Sequence, residues 1–135
     1  MNESDENFSA LSRYRLEQAE EAAISDAELL LNEARYRATV NRLYYACFYA
    51  ATAALLVYRQ QYSKHSAVIA FFDKTFIKSG ILPREYSRTL HEAYNERQED
   101  EYTPFAEPDP ESVKELYSQV YRLVNGIKDF LKKQG

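Results

Sequence analysis

Cysteine, glycine, proline and tryptophan are all scarce in this 135-residue sequence, with one, three, four and none. A lone Cys47 excludes an internal disulfide and a thiolate metal cluster. It lies in an apolar run, where a buried, inert thiol is the expected state. Only two histidines, His65 and His91, are present, which argues against a zinc site. So little glycine and proline, and no alternating apolar pattern, weigh against a strand-and-turn architecture. Positive charge is not in excess: the net charge is −4. A broad phosphate-binding surface is therefore excluded, and any RNA contact has to come from a local basic patch. DNA is not an expected partner, nor is an anionic membrane. The most apolar window, Leu43–Tyr58, is interrupted by four tyrosines and a threonine. It is too short to span a bilayer comfortably. The opening "MNESDENFSA" lacks the basic start and apolar stretch of a secretory signal. A soluble, cytoplasmic protein is expected. There is no Gly-rich phosphate loop, nucleophile elbow, paired-histidine metal motif or dinucleotide fingerprint, so no metal and no cofactor are expected.

What remains is helical. Hydrophobic residues make up 45% of the chain, enough for one domain with a real core. Residues 1–7 are polar and read as a disordered start, with a single domain over 8–133. A long amphipathic helix is expected from Phe8 to about Glu33, and a second from Tyr36 to about Gln61. The second carries two apolar stripes. Val40, Leu43, Tyr44, Cys47, Ala51 and Leu55 form one; Tyr45, Ala46, Tyr49, Ala53 and Leu56 form the other. A helix apolar on both sides is either central or buried against another copy; the preferred reading is a homodimer through the second stripe. A third helix is expected from His65 to Ser79, with Ser63 as cap and Gly80 as stop. Pro83 opens a fourth, to about Glu101, and Asp109-Pro110 a fifth, to about Lys133. The expected fold is all-α: an up-and-down bundle of four long helices and one shorter one.

Two cations break the apolar pattern. Residues seven apart on a helix lie about 20° from each other, so Arg97 falls almost over Leu90, and Arg42 almost over Tyr49. Arginine stays charged at any relevant pH and needs partners or a wet cleft. Carboxylates such as Glu99, Asp100 or Glu101 can neutralise it, or its stem can cover apolar surface while the head reaches water. "YSKHSA", residues 62–67, is a second signal. Lys64, His65 and Ser66 stand at a helix start, where backbone N–H groups favour anions; simple capping is the plainer account. His65 there is harder to protonate. Tyr102 closes the acidic run "NERQEDEY" beside Arg97. His91 lies about 120° from Arg97 around the helix and reads as a surface residue.

Three stretches, "ARYRATVNRLYYACFYAATAALL" (34–56), "KHSAVIAFFDKTFIKSGILPREYSRTL" (64–90) and "ERQEDEY" (96–102), together resemble the HEPN-domain family in its prokaryotic stand-alone branch. The resemblance covers nearly the whole chain. It implies a bundle of four or five helices, usually dimeric. Many members are metal-independent ribonucleases, often toxins paired with a minimal nucleotidyltransferase; others are non-catalytic and bind nucleotides or partner proteins. The nuclease members carry an Arg followed four to six residues later by a His. Arg97 matches the Arg, but Glu101, Tyr102 and Thr103 fill the following positions, and the His is absent.

Metal-free RNA cleavage needs a base for the 2′-hydroxyl and positive charge for the phosphate. Arg97 can supply the charge. Tyr102 is a poor base, because a phenol with a pKa of about 10 holds its proton at neutral pH. His65 can substitute only if the fold brings it to Arg97. The expected function is a non-catalytic or weakly catalytic HEPN module that binds a nucleotide, RNA or a nucleotidyltransferase partner. The alternatives are a ribonuclease toxin and a purely structural dimerisation module. The expected catalytic residues are Arg97 and Tyr102. The expected ligand-binding set is Arg42, Tyr45, Lys64, His65, Ser66, Asp100 and Glu101.

Overall fold

The computed structural model describes residues 3–102 and 107–134, with 99–102 described in backbone only. Among these residues all regular structure is helical. Helix α1 (Glu3–Glu20) continues through a widened π turn (Glu21–Asp26) into α2 (Ala27–Asn32). Helix α3 follows (Tyr36–Val57), then α4 (His65–Phe72), prolonged by a second π turn (Asp73–Ile77). Helices α5 (Arg84–Tyr102) and α6 (Pro110–Gln134) complete the bundle. The first helix thus starts at Glu3, upstream of the expected Phe8. The second ends at Val57, earlier than Gln61.

Helix α3 is the centre of the bundle. Thirteen of its 22 residues are buried, and α1, α2, α4, α5 and α6 all pack against it. Most of its second stripe is covered within the chain, with Tyr45 and Tyr49 left half-buried. Ala46, Ala53 and Leu56 are fully buried, and Ser12 Oγ of α1 donates to the Ala53 carbonyl at 2.8 Å. The first rod buries Ala19, Ala22, Ala23 and Ala27; these small side chains let two helix axes approach closely. The doubly apolar α3 is thus central within its own chain, the first of the two readings that its stripes allowed.

The turns follow from local chemistry. After α2 the Ala34 backbone turns left-handed (φ 58), and Arg35 N–H reaches back to the Leu30 carbonyl at 2.9 Å, closing the helix as a Schellman motif. Arg59 (φ 61) ends α3 the same way, with Gln60 N–H on the Leu55 carbonyl at 3.1 Å. Gly80 takes φ +78 where the third rod stops, as its position suggests. Asp109 caps α6: its Oδ2 accepts from the Ser112 N–H at 3.0 Å, with Pro110 as first residue. The expected Ser63 cap is not formed. Lys64, extended at φ −85 and ψ 135, holds the N-cap of α4 and makes no side-chain capping bond.

Helix α5 meets α6 where Tyr86, 9% exposed, fills the space over Gly126. A Cβ there would fall 1.7 Å from the Tyr86 hydroxyl oxygen. Seating α5 this close fixes the height at which Arg97, further along the same inner side, arrives over α3. No described helix is long and apolar enough to cross a membrane.

Candidate functional site

The inner side of α5 runs through buried Leu90 and Ala93 and then becomes half-open at Tyr94 and Arg97. Arg97 is accommodated by aromatic faces. Its guanidinium carbon lies 4.9 Å from the centre of the Tyr44 ring and 5.6 Å from that of Tyr45. Arg42, one turn earlier on α3, lies 5.2 Å from the same Tyr45 ring. The two arginines that break the apolar stripes thus converge on one phenol. Cation–π contact lets each keep its charge beside apolar surface, and a guanidinium stacked this way still has edges free for a phosphate.

Helix α4 delivers the third component. Its first residue, His65, is half-buried, with its ring centre 4.0 Å from that of Phe48. His65 Nδ1 is hydrogen-bonded to the hydroxyl of Tyr44, a fully buried side chain. Burial pushes the Tyr44 phenol up to about 12 against the opposing pull of Arg97, so the hydroxyl keeps its proton. Burial, and then the Arg97 charge, push the His65 imidazole down from its usual range; it is neutral at pH 7. A buried hydroxyl proton needs an acceptor, and among the described residues Nδ1 is the partner on Tyr44. Tyr44 therefore donates, Nδ1 accepts, and the imidazole proton sits on Nε2. In that state His65 offers an N–H donor and has no free basic nitrogen. The residues thus assemble two cations and a neutral N–H donor around aromatic rings. Tyr94, 6.0 Å from Tyr44 ring to ring, and Gln98, whose Nε2 donates to the Tyr94 hydroxyl at 3.0 Å, border it.

Arg42, Tyr45, His65 and Arg97 therefore come together. Lys64 and Ser66 are exposed at the α4 start, and among the described residues no hydrogen bond joins either side chain to this cluster. The side chains of Asp100, Glu101 and Tyr102 lie outside the described residues. Tyr44 is the site residue that periodicity concealed: its position between Leu43 and Cys47 reads as core, and it is core. The available signal was its hydroxyl, which demands a partner when buried. Cys47 is buried, and burial pushes its thiol pKa up, as an inert core residue requires. His91 is exposed, with Nε2 2.7 Å from Asp73 Oδ2. Among the described residues no cluster of His, Cys, Asp and Glu is arranged to hold a metal.

A groove opens beside Arg42 where α2 turns into α3. It encloses about 680 Å³ and is lined in part by Arg35, Tyr36, Arg37, Asn41, Arg42 and Glu107. A second cavity, of about 540 Å³, lies between α1 and the C-terminal ends of α3 and α6. Among the described side chains, none of those expected to bind or react lines it.

Residues 12–130 match the HEPN domain family. The chain is similar to the "UPF0332 protein" of Thermotoga maritima, 32% identical over 109 residues, covering 81% of this chain and 83% of that protein. It is also similar to two proteins of Methanocaldococcus jannaschii. "Putative toxin MJ0142" is 34% identical over 82% of this chain and 76% of its own length. "Putative toxin MJ0605" is 34% identical over 84% of each. With an all-helical fold, a family match over nearly its whole length and relatives of this kind, the chain belongs to the HEPN domain family.

Proposed function

We propose that this HEPN module binds a phosphate-bearing ligand, a nucleotide or RNA, in the cleft formed by Arg97, Arg42 and His65 over Tyr44 and Tyr45. The observation that carries the reading is the convergence of Arg42 and Arg97 on the Tyr45 ring. Two fixed cations and an Nε2–H donor suit a phosphate, which needs charge and directed N–H groups. The same arrangement is poorly equipped to cleave. With Nδ1 taken by Tyr44 and the proton on Nε2, His65 has no lone pair to offer a 2′-hydroxyl. A non-catalytic or weakly catalytic role follows. The toxin names of two relatives favour a toxin–antitoxin setting, with a nucleotidyltransferase as partner and a homodimer as the working unit.

Isothermal titration with nucleotides and short RNAs tests the proposal. Binding in the micromolar to low millimolar range, lost in Arg97→Ala, is expected; no heat at millimolar ligand ends it. A second reading, a metal-independent ribonuclease, draws on one observation: the fold does bring His65 to Arg97 through Tyr44. It requires the imidazole to exchange tautomers when substrate binds. RNA cleavage in the presence of a chelator, abolished by Arg97→Ala and by His65→Ala, would establish it over simple binding.

A further inference from the structure

The cavity between α1 and the C-terminal ends of α3 and α6 takes no part in the cleft. Its floor, Leu56, lies roughly 20 Å along α3 from Arg42, at about 1.5 Å per residue. Leu56 is fully buried, and the walls, Phe8, Leu16, Val57 and Leu131, are half-buried. The rim is charged. Among the described residues it carries four cations, Arg13, Arg59, Lys128 and Lys132, and one carboxylate, Asp5. Two of the cations are already matched: Arg59 pairs with Asp5, and Lys128 Nζ lies 3.1 Å from Glu20 Oε2. Arg13 and Lys132 are exposed, and neither is joined to another described residue by an ion pair or hydrogen bond. Lys132 belongs to the last turn of α6, where a cation complements the helix carbonyls. Arg13 stands in the middle of α1, where no helix end calls for charge. The backbone beside the floor does not oppose an anion either. The Leu55 and Leu56 carbonyls accept from the Tyr58, Arg59 and Gln60 N–H groups, and the Ala53 carbonyl accepts from Ser12.

We propose that this cavity binds a monomeric anionic amphiphile, a monocarboxylate with an unbranched hydrocarbon tail, its tail over Leu56 and its head at Arg13 and Lys132. A dry cavity of about 150 Å³ holds a six-carbon benzene ring. The present one encloses about 540 Å³, part of it open to solvent, which suits a tail of about eight to twelve carbons. The planar carboxylate matches the fork of the Arg13 guanidinium, and Lys132 adds a point charge. Inorganic phosphate would satisfy the head and leave the apolar walls unused; a neutral hydrocarbon would leave the two cations unused. The lining follows α1 from Asp5 to Leu16, which also invites a helix from a partner protein. Three turns of helix, about 10 Å across and about 16 Å long, displace about 1,200 Å³, more than twice the space enclosed. The small amphiphile fits it better.

The test titrates the full chain with octanoate, decanoate and 1-octanol, all kept monomeric, by calorimetry and by amide NMR shifts. Decanoate binds about tenfold more tightly than octanoate, as two more buried methylenes require. Octanol binds at least about tenfold more weakly than octanoate, for want of a charge-assisted bond to Arg13. The amides of Ser9, Ser12, Val57 and Leu131 shift, and those of Tyr45 and Gln98 do not. Arg13→Ala, at an exposed position, weakens decanoate at least about fivefold. Ser9→Trp, also at an exposed position in the lining, fills the space and abolishes binding. An unchanged thermal melt in both variants shows that the fold is intact. Arg97→Ala leaves decanoate affinity unchanged, so this cavity and the cleft are judged separately. The proposal is overturned by absence of binding at millimolar decanoate, by equal affinity for octanol and octanoate, by affinity independent of tail length, or by undiminished binding in Ser9→Trp. Sedimentation of the protein with phosphatidylglycerol vesicles, when decanoate fails to bind, overturns it in favour of a membrane surface.

Discussion

Substituting Tyr44→Phe removes one oxygen and tests the state of the site. The ring survives, so Arg97 keeps its aromatic seat 4.9 Å away and the core keeps its volume. What is lost is the hydrogen bond to His65 Nδ1. A net hydrogen bond contributes about 0.5–1.5 kcal/mol, and an orphaned polar group costs about 1–3 kcal/mol when fully buried. His65 is only half-buried, so water relieves part of that second cost. The expected destabilisation is about 1–2 kcal/mol, larger than the roughly 0.5 kcal/mol of an ordinary surface change. For a domain of this size it lowers Tm by roughly 3–10 °C, measured by thermal and urea melts. Nitrogen-15 NMR of His65 gives the sharper readout. In the wild type the ring shows the Nε2–H tautomer, with Nδ1 accepting. In Tyr44→Phe the two tautomers mix, while the imidazole remains hard to protonate because its causes, burial and Arg97, persist. A wild-type ring protonated on Nδ1, or a variant with unchanged melting and unchanged nitrogen shifts, would refute the reasoning. It would also return His65 to candidacy as a base.

Two further outcomes follow from the packing and the charges. Gly126→Ala places a methyl group where the Tyr86 hydroxyl now sits; overpacking of this kind costs about 1–3 kcal/mol. A urea midpoint lower than the wild type's checks it, and restoration by Tyr86→Phe is not expected, because the ring carbon Cζ is also too close at 2.6 Å. Because the His65 pKa is lowered on folding, the unfolded chain takes up that proton more readily. Stability is therefore full above the unfolded value of about 6.5 and falls as pH drops below it toward the folded value. Urea stability at pH 7.5 and 5.5 should differ by less in His65→Phe than in the wild type; an identical difference in both removes His65 as the cause.

The helical class and the α6 cap were legible because they rest on local chemistry: periodicity, scarce glycine, and Asp109-Pro110 at a helix start. Arg97 and Arg42 were legible as anomalies for the same reason, since a charge on an apolar stripe is visible in one dimension. Their resolution was not. That Tyr45 lies between them depends on how α5 crosses α3, which is set by Gly126 under Tyr86 and by no pattern within either helix. The centrality of α3 was equally hidden, because apolar stripes cannot say whether α1 or another molecule covers them. Tyr44 was overlooked since burial and function coincide there. Lys64 and Ser66 were chosen from their place at a helix start, and the structure leaves both facing outward.

One phenol supporting two guanidiniums has a mechanical consequence. A rotation that lifts the Tyr45 ring takes Arg42 off its aromatic seat but leaves Arg97 on the nearer Tyr44 ring, 4.9 Å away. A ligand wedged against the Tyr45 ring therefore acts first on Arg42, the residue that also lines the groove.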